Sequence, residues 1–205
     1  MSAQRELSMA LAPLGLCILG EVGEADAVLH LIGPDEPAFW PIFSASREYG
    51  DGQPDPMDRW SARVLTSIAD NLGGEALFPF GGPPYAPFYS WATASGRAWP
   101  SPIGFLVHDM AGLFVSFRGA IRLRGTATSV SKESPCQTCT TKPCATACPV
   151  DAFADGYDVA ACKAHVASAA GARCRLNGCL ARRACPIGQT RRLAQQSAFH
   201  MEAFL

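Results

Sequence analysis

Eight of the nine cysteines fall within fifty residues, in two runs that end alike. The first is Cys136-x2-Cys139-x4-Cys144-x3-Cys148-Pro149, and the second is Cys162-x11-Cys174-x4-Cys179-x5-Cys185-Pro186. Thiolates at short spacing take soft metals. In a reducing compartment, dense cysteines point to metal rather than to disulfides. The first residues, Met1-Ser2-Ala3-Gln4-Arg5-Glu6, show no cationic leader followed by an apolar stretch, so a cytoplasmic protein is expected. The longest apolar run, residues 11–20, is broken by Pro13 and Gly15 and is far short of the ~20 residues of a membrane span.

The first run is similar to the bacterial ferredoxin pattern Cys-x2-Cys-x2-Cys-x3-Cys-Pro, lengthened by two residues within Thr140-Thr141-Lys142-Pro143. A cubane cluster needs four thiolates. In two-cluster ferredoxins the cysteine before proline ligates the other cluster. That rule assigns Cys136, Cys139, Cys144 and Cys185 to one [4Fe–4S] cluster and Cys148, Cys162, Cys174 and Cys179 to a second. Eight cysteines then supply eight ligands. Structural zinc is the plainer alternative, but zinc ribbons use paired Cys-x2-Cys knuckles, and only Cys136/Cys139 is one.

Charge agrees with two anionic clusters. Residues 131–205 hold nine basic and five acidic side chains, a balance of +4, whereas the first 130 hold eight and thirteen, a balance of −5. Two clusters with their thiolates bring about −4. Arg173, Arg175, Arg182 and Arg183 interleave with the ligands. They could dock an acidic electron donor, or serve only as internal charge balance. With a net charge of −1 and an acidic N-terminal half, nucleic acid is not an expected partner.

The elements that must position these residues form an α+β chain of 205 residues, 48% apolar and 17% charged. Residues 1–125 read as an α+β domain and 126–205 as a dicluster ferredoxin-like domain, with the small polar stretch 125–135 as linker. A helix over 4–12 ends at Pro13. Residues 16–19, 27–32 and 76–80 read as strands, with Cys17 a buried core thiol. Asp35 and Pro37 start a short helix, and residues 81–102 form an aromatic loop with a short helix near 89–95. Asp55-Pro56 caps and starts a helix whose apolar face is Met57, Trp60, Val64, Ile68 and Leu72. Strands 103–108 and 113–124 read as a hairpin.

The cysteine block resembles the C-terminal module of epoxyqueuosine reductases, which also place a lone cysteine between two groups, as Cys162 stands here; reductive dehalogenases carry the same module. The stretch 103–120 resembles CblC-type cobalamin-processing proteins, of nitroreductase-like fold: His108, Gly112, Arg118 and Gly119 match by offset, and Asp55-Pro56-Met57-Asp58 matches a family Asp-Pro-x-Asp. Asp109 stands where that family has proline, and the acidic motif of the epoxyqueuosine reductases has no counterpart. The resemblance implies a cobalamin site involving Arg118, His108, Gly112 and Gly119, fed by the clusters from a small flavodoxin- or ferredoxin-type donor. Read without it, Arg118 is a strand-end arginine paired with a carboxylate, and His108 a histidine bonded to nearby backbone. The expectation is a redox protein relaying single electrons to a corrinoid. Its alternative is an electron carrier whose N-terminal domain only docks a partner.

Overall fold

The computed structural model describes residues 2–127, 132–189 and 191–205. The middle of the expected linker, 128–131, lies outside the described residues. Along the chain run helix α1 (Ala3–Leu11), strands β1 (Leu16–Gly23) and β2 (Ala27–Pro34), and helices α2 (Phe39–Ser44), α3 (Arg47–Gly50) and α4 (Pro56–Asn71). Strand β3 (Glu75–Leu77), helix α5 (Phe88–Ala94) and strands β4 (Ala98–Pro100), β5 (Leu106–His108) and β6 (Gly119–Arg124) follow. Helices α6 (Pro135–Thr138), α7 (Val159–Ala167), α8 (Ala172–Asn177), α9 (Leu180–Arg183) and α10 (Ala194–Phe204) complete a mixed α+β chain.

The chain divides into two compact units, Met1–Arg97 with Ser116–Lys132, and Ala98–Val115 with Glu133–Leu205. Residues 98–115, grouped by the sequence reading with the N-terminal domain, thus cluster with the cysteine segment.

The first unit is built on a four-stranded antiparallel sheet in the order β1-β2-β6-β3. Strand β2 is buried along its whole length, as its near-continuous apolar run requires of an inner strand. Between Ile18 and Gly20 the β1–β2 register shifts, which leaves Leu19 as an extra residue turned into the core. Helix α4 packs against β6 and β3 and buries Met57, Trp60, Val64 and Ile68, the face its 3.6-residue period predicts. Phe39 stacks on Phe43 and meets Trp60 edge-on, with ring centroids 5.8 and 5.5 Å apart.

Three expectations need correcting here. Asp55 precedes α4 in the left-handed region, φ 50°, and its side chain makes no cap bond. Cys17 is half-buried and lines an open cleft with Gln4, Ser8, Glu21 and Arg97. The hairpin of 103–108 with 113–124 does not form. His108 and Gly112 close a tight turn by two backbone bonds of 3.0 Å, but β5 pairs with β4, and β6 pairs with β2 and β3. A glycine turn fixes only its own residues. The partner of each flanking strand is set by whichever sheet buries it.

In the second unit, β4 and β5 form a two-stranded antiparallel sheet, and short helices carry the cysteines. Its core holds Ile103, Val107, Leu113, Cys144, Ala181 and Cys185, with Trp99, Phe105, Cys136, Cys148, Phe153, Cys179 and Ile187 packed around them.

Candidate metal centres

All nine cysteines are free thiols. Local sequence fixes where the eight C-terminal ones are held. The Ser134 hydroxyl accepts from the Cys136 amide and starts α6, with Pro135 at the first helical position. Asp158 Oδ1 accepts from the Ala161 amide at 2.9 Å and starts α7, which puts Cys162 in its first turn. Cys144 lies in the 3-10 turn Pro143–Ala145, Cys174 on α8, and Cys179 caps α9.

Two cavities result. One is lined by Cys136, Cys139, Cys144 and Cys185 together with Val107, Leu113 and Ile187. The other is lined by Cys148, Cys162, Cys174 and Cys179 together with Phe153, Val166 and Leu180. Each cysteine that precedes a proline lines the cavity of the opposite run: Cys185 joins the first three cysteines, and Cys148 joins the last three. Among the described residues, no three His, Cys, Asp or Glu side chains gather as ligands of a single ion.

The sulfurs meet hydrogen-bond donors as well as apolar walls. The Ala152 amide reaches Cys148 Sγ at 3.4 Å. The backbone amides of Leu180 near Cys174, and of Arg182 and Ala181 near Cys179, favour the thiolates against the effect of burial. The Ser134 hydroxyl also bonds Cys136. Burial pushes the Cys136, Cys144, Cys174 and Cys179 thiols up. Sulfur donors in fours, in an apolar cavity with N–H groups at the sulfurs, suit an iron–sulfur cubane, whose charge such bonds stabilise.

The residues matched to the cobalamin-processing proteins divide between the units. Arg118 and Gly119 belong to the first. Arg118 donates from Nη2 to Asp58 Oδ1 at 2.9 Å, and its Nε has no partner among the described residues. Burial pulls the guanidinium below its ordinary value, against the pull of Asp58. A Cβ on Gly119 would stand 2.6 Å from Leu65 Cδ1 and 3.1 Å from the Leu77 carbonyl oxygen, so glycine lets α4 and β3 close on β6.

His108 and Gly112 belong to the second unit. His108 is fully buried. Its Nδ1 accepts from the Met110 and Ala111 amides at 3.1 and 3.2 Å, which makes Nδ1 the unprotonated nitrogen. Asp109 Oδ1 also lies 3.1 Å from Nδ1. Gly112, at φ 56°, leaves no room for a side chain, because a Cβ would collide with the Ile187 carbonyl oxygen and stand 3.3 Å from Cys185 Sγ.

The arginines of the cysteine block have partners the sequence reading did not name. Arg182, Arg183 and Arg192 lie over the Phe114 ring at 4.7, 5.1 and 5.1 Å. Arg182 Nε donates to the Leu113 carbonyl at 2.6 Å and Arg192 Nη2 to that of Phe114 at 2.8 Å. Arg175 bonds the carbonyls of Val166 and Ser168, and Arg173 is exposed. No sequence signal tied these arginines to residues 113–114, some seventy positions earlier.

Comparison of the chain with protein-family models, with curated proteins and with solved structures gives no match. Among the described residues, no helix is long and apolar enough to cross a membrane.

Proposed function

We propose that this chain is an iron–sulfur redox protein that holds two [4Fe–4S] clusters and relays single electrons. One observation carries the reading. Eight cysteines divide four and four around two cavities, with Cys148 and Cys185 exchanged between the runs as the dicluster rule requires. Cys136, Cys139, Cys144 and Cys185 would hold one cluster, and Cys148, Cys162, Cys174 and Cys179 the other. When bound, a cluster takes up and returns one electron without bond making. The chain's own part is to exclude water through Val107, Leu113, Phe153 and Val166, to set charge through amide N–H groups at the sulfurs, and to present the unit to a partner. A small flavodoxin- or ferredoxin-type protein in a cytoplasmic, reducing compartment is the donor this reading implies.

The acceptor is the point at which two readings part. The resemblance to CblC-type proteins favours a corrinoid held by a nitroreductase-like first domain. The structural duties of the matched residues favour the other reading, an electron carrier with no cofactor on that domain. Arg118 is engaged by Asp58, Gly119 serves packing, His108 Nδ1 caps a turn, and Gly112 seats the Ile187 backbone. We adopt the carrier.

Anaerobic reconstitution with iron and sulfide tests the shared reading: close to eight of each per chain, with a reducible visible absorption band, supports it, and zinc retained in preference to iron overturns it. Titration of the loaded protein with cob(II)alamin then separates the acceptors. A saturable base-off spectrum would replace the carrier by the corrinoid enzyme.

A further inference from the structure

Ser101 stands in the wall of the first cavity, and nothing derived so far gives its side chain a task. It opens the turn that joins β4 to β5, directly after their last pair, Pro100 with Leu106. Its amide donates to the Phe105 carbonyl at 2.9 Å, and its carbonyl accepts from the Gly104 amide at 3.0 Å. Gly104, at φ 80°, supplies the left-handed backbone that closes the turn. Both main-chain groups of Ser101 are therefore committed, and the hairpin fixes where its side chain stands. A serine at such a position commonly turns its hydroxyl back onto the amide two residues on. Ser101 does not. Its Oγ is buried and has no hydrogen-bond partner among the described residues. Leaving a buried hydroxyl unpaired is costly, and native structures seldom do so. The rest of the wall is four cysteines, Lys142 and apolar side chains that include Val107, Leu113 and Ile187. The apolar groups offer this donor no acceptor, and an ammonium accepts nothing. Sulfur is the acceptor chemistry that remains.

We infer that the Ser101 hydroxyl is a donor kept for the first metal centre, bonding a sulfur of the cluster held there and making that centre easier to reduce than it would be without the bond. The inference rests on the iron–sulfur reading above. A cubane offers sulfur acceptors of two kinds, its sulfides and its four thiolates, whereas a single zinc ion offers only thiolates. Hydrogen bonds to the sulfurs are one of the terms that set a cluster's potential. A donor at sulfur stabilises the form with more negative charge, which is the reduced one. The step is a one-electron reduction by an external low-potential donor, with no bond broken and the hydroxyl proton kept on oxygen.

The experiment is a potentiometric titration of the reconstituted full chain, followed by electron paramagnetic resonance, for the natural protein and for Ser101→Ala. This change removes the oxygen and keeps the backbone of the turn. The expected result is unchanged iron and sulfide content, one of two couples about tenfold harder to reduce (~59 mV for one electron), and the other couple unmoved. Ser101→Thr keeps the hydroxyl and returns that couple toward its natural potential. Ser101→Gly, which a turn accepts readily, is a second variant without the oxygen and shifts the same couple the same way. In heavy water, electron–nuclear double resonance of the reduced natural protein shows an exchangeable deuteron coupled to one cluster that Ser101→Ala lacks. A hydroxyl that serves only the turn would move neither couple and remove no such signal. Two unmoved couples, or both moved alike, in a fully loaded variant without the oxygen overturn this inference and leave the iron–sulfur reading standing. A natural chain that takes up no iron overturns both.

Discussion

Asp58 and Arg118, sixty residues apart in sequence, are joined by a hydrogen bond of 2.9 Å between Oδ1 and Nη2. The bond ties the first turns of α4 to the start of β6 and places a carboxylate against a buried guanidinium. Removal of the carboxylate leaves that charge buried and uncompensated. Asp58→Ala is expected to lower the stability of the first unit by roughly 1–3 kcal/mol, while Asp58→Glu recovers most of it. Urea unfolding of both variants measures this. Full stability in Asp58→Ala would show that the pair does not matter to the fold.

The exchange of Cys148 and Cys185 between runs makes a sharp compositional prediction. Cys185→Ala removes a thiol from the first cavity alone. Iron and sulfide after reconstitution are expected to fall to about half, with Cys162→Ala giving the same drop from the other side. Colorimetric iron and sulfide assays read the result. Equal losses in all eight single variants, down to nothing, would contradict two separable centres.

Gly112 provides a test that touches no ligand. Its hydrogen faces the Ile187 carbonyl two residues beyond Cys185. Gly112→Ala must displace that backbone and is expected to loosen the first centre selectively, seen as faster iron loss to a chelator. Ala111→Gly, one residue away, is expected to behave as the natural chain does.

Glu48 sets a pH dependence. It is buried on α3 and accepts from Arg63 Nε and Nη2 at 2.5 and 2.9 Å and from Arg47 Nε at 3.1 Å. The Arg63 bond foremost holds its carboxyl at about 2, against an ordinary 4.5. A carboxylate whose value is depressed by folding stabilises the protein fully above 4.5 and loses that contribution as pH falls toward about 2. Glu48→Gln is expected to cost about 1–3 kcal/mol at pH 7 and to flatten the stability curve over the acid range. Denaturant titrations from pH 7 to pH 3 on the metal-free protein test the sign.

Legibility in the sequence followed the range of the forces involved. Helix α4 could be read because its apolar face repeats within its own sixteen residues, and β2 because its run is continuously apolar. The four-and-four grouping of the cysteines around the two cavities could be read because the proline after Cys148 and Cys185 marks the position that crosses between runs. The false hairpin arose where a good glycine turn, His108 to Gly112, is followed by residues that leave for a different sheet. Nothing in 113–124 marks that departure. The cage of Arg182, Arg183 and Arg192 over Phe114 was illegible for the same reason, because an arginine does not carry the address of the ring or carbonyl it will find. Asp55 looked like a cap by type, but a left-handed backbone turns its side chain out of reach of the helix amides.

The crossed cysteines also bear on the order in which the proposed centres could be completed. A chain emerging residue by residue gains its second four-cysteine set only at Cys179 and its first only at Cys185. Until the residues after Cys174 have been made, each cavity lacks a wall, and the two gain it close together. Iron delivered early would meet only three-cysteine fragments, open to oxygen and to scrambling. On the proposed reading the two centres would therefore become complete almost together, and a chain stopped anywhere before residue 179 has neither four-cysteine set.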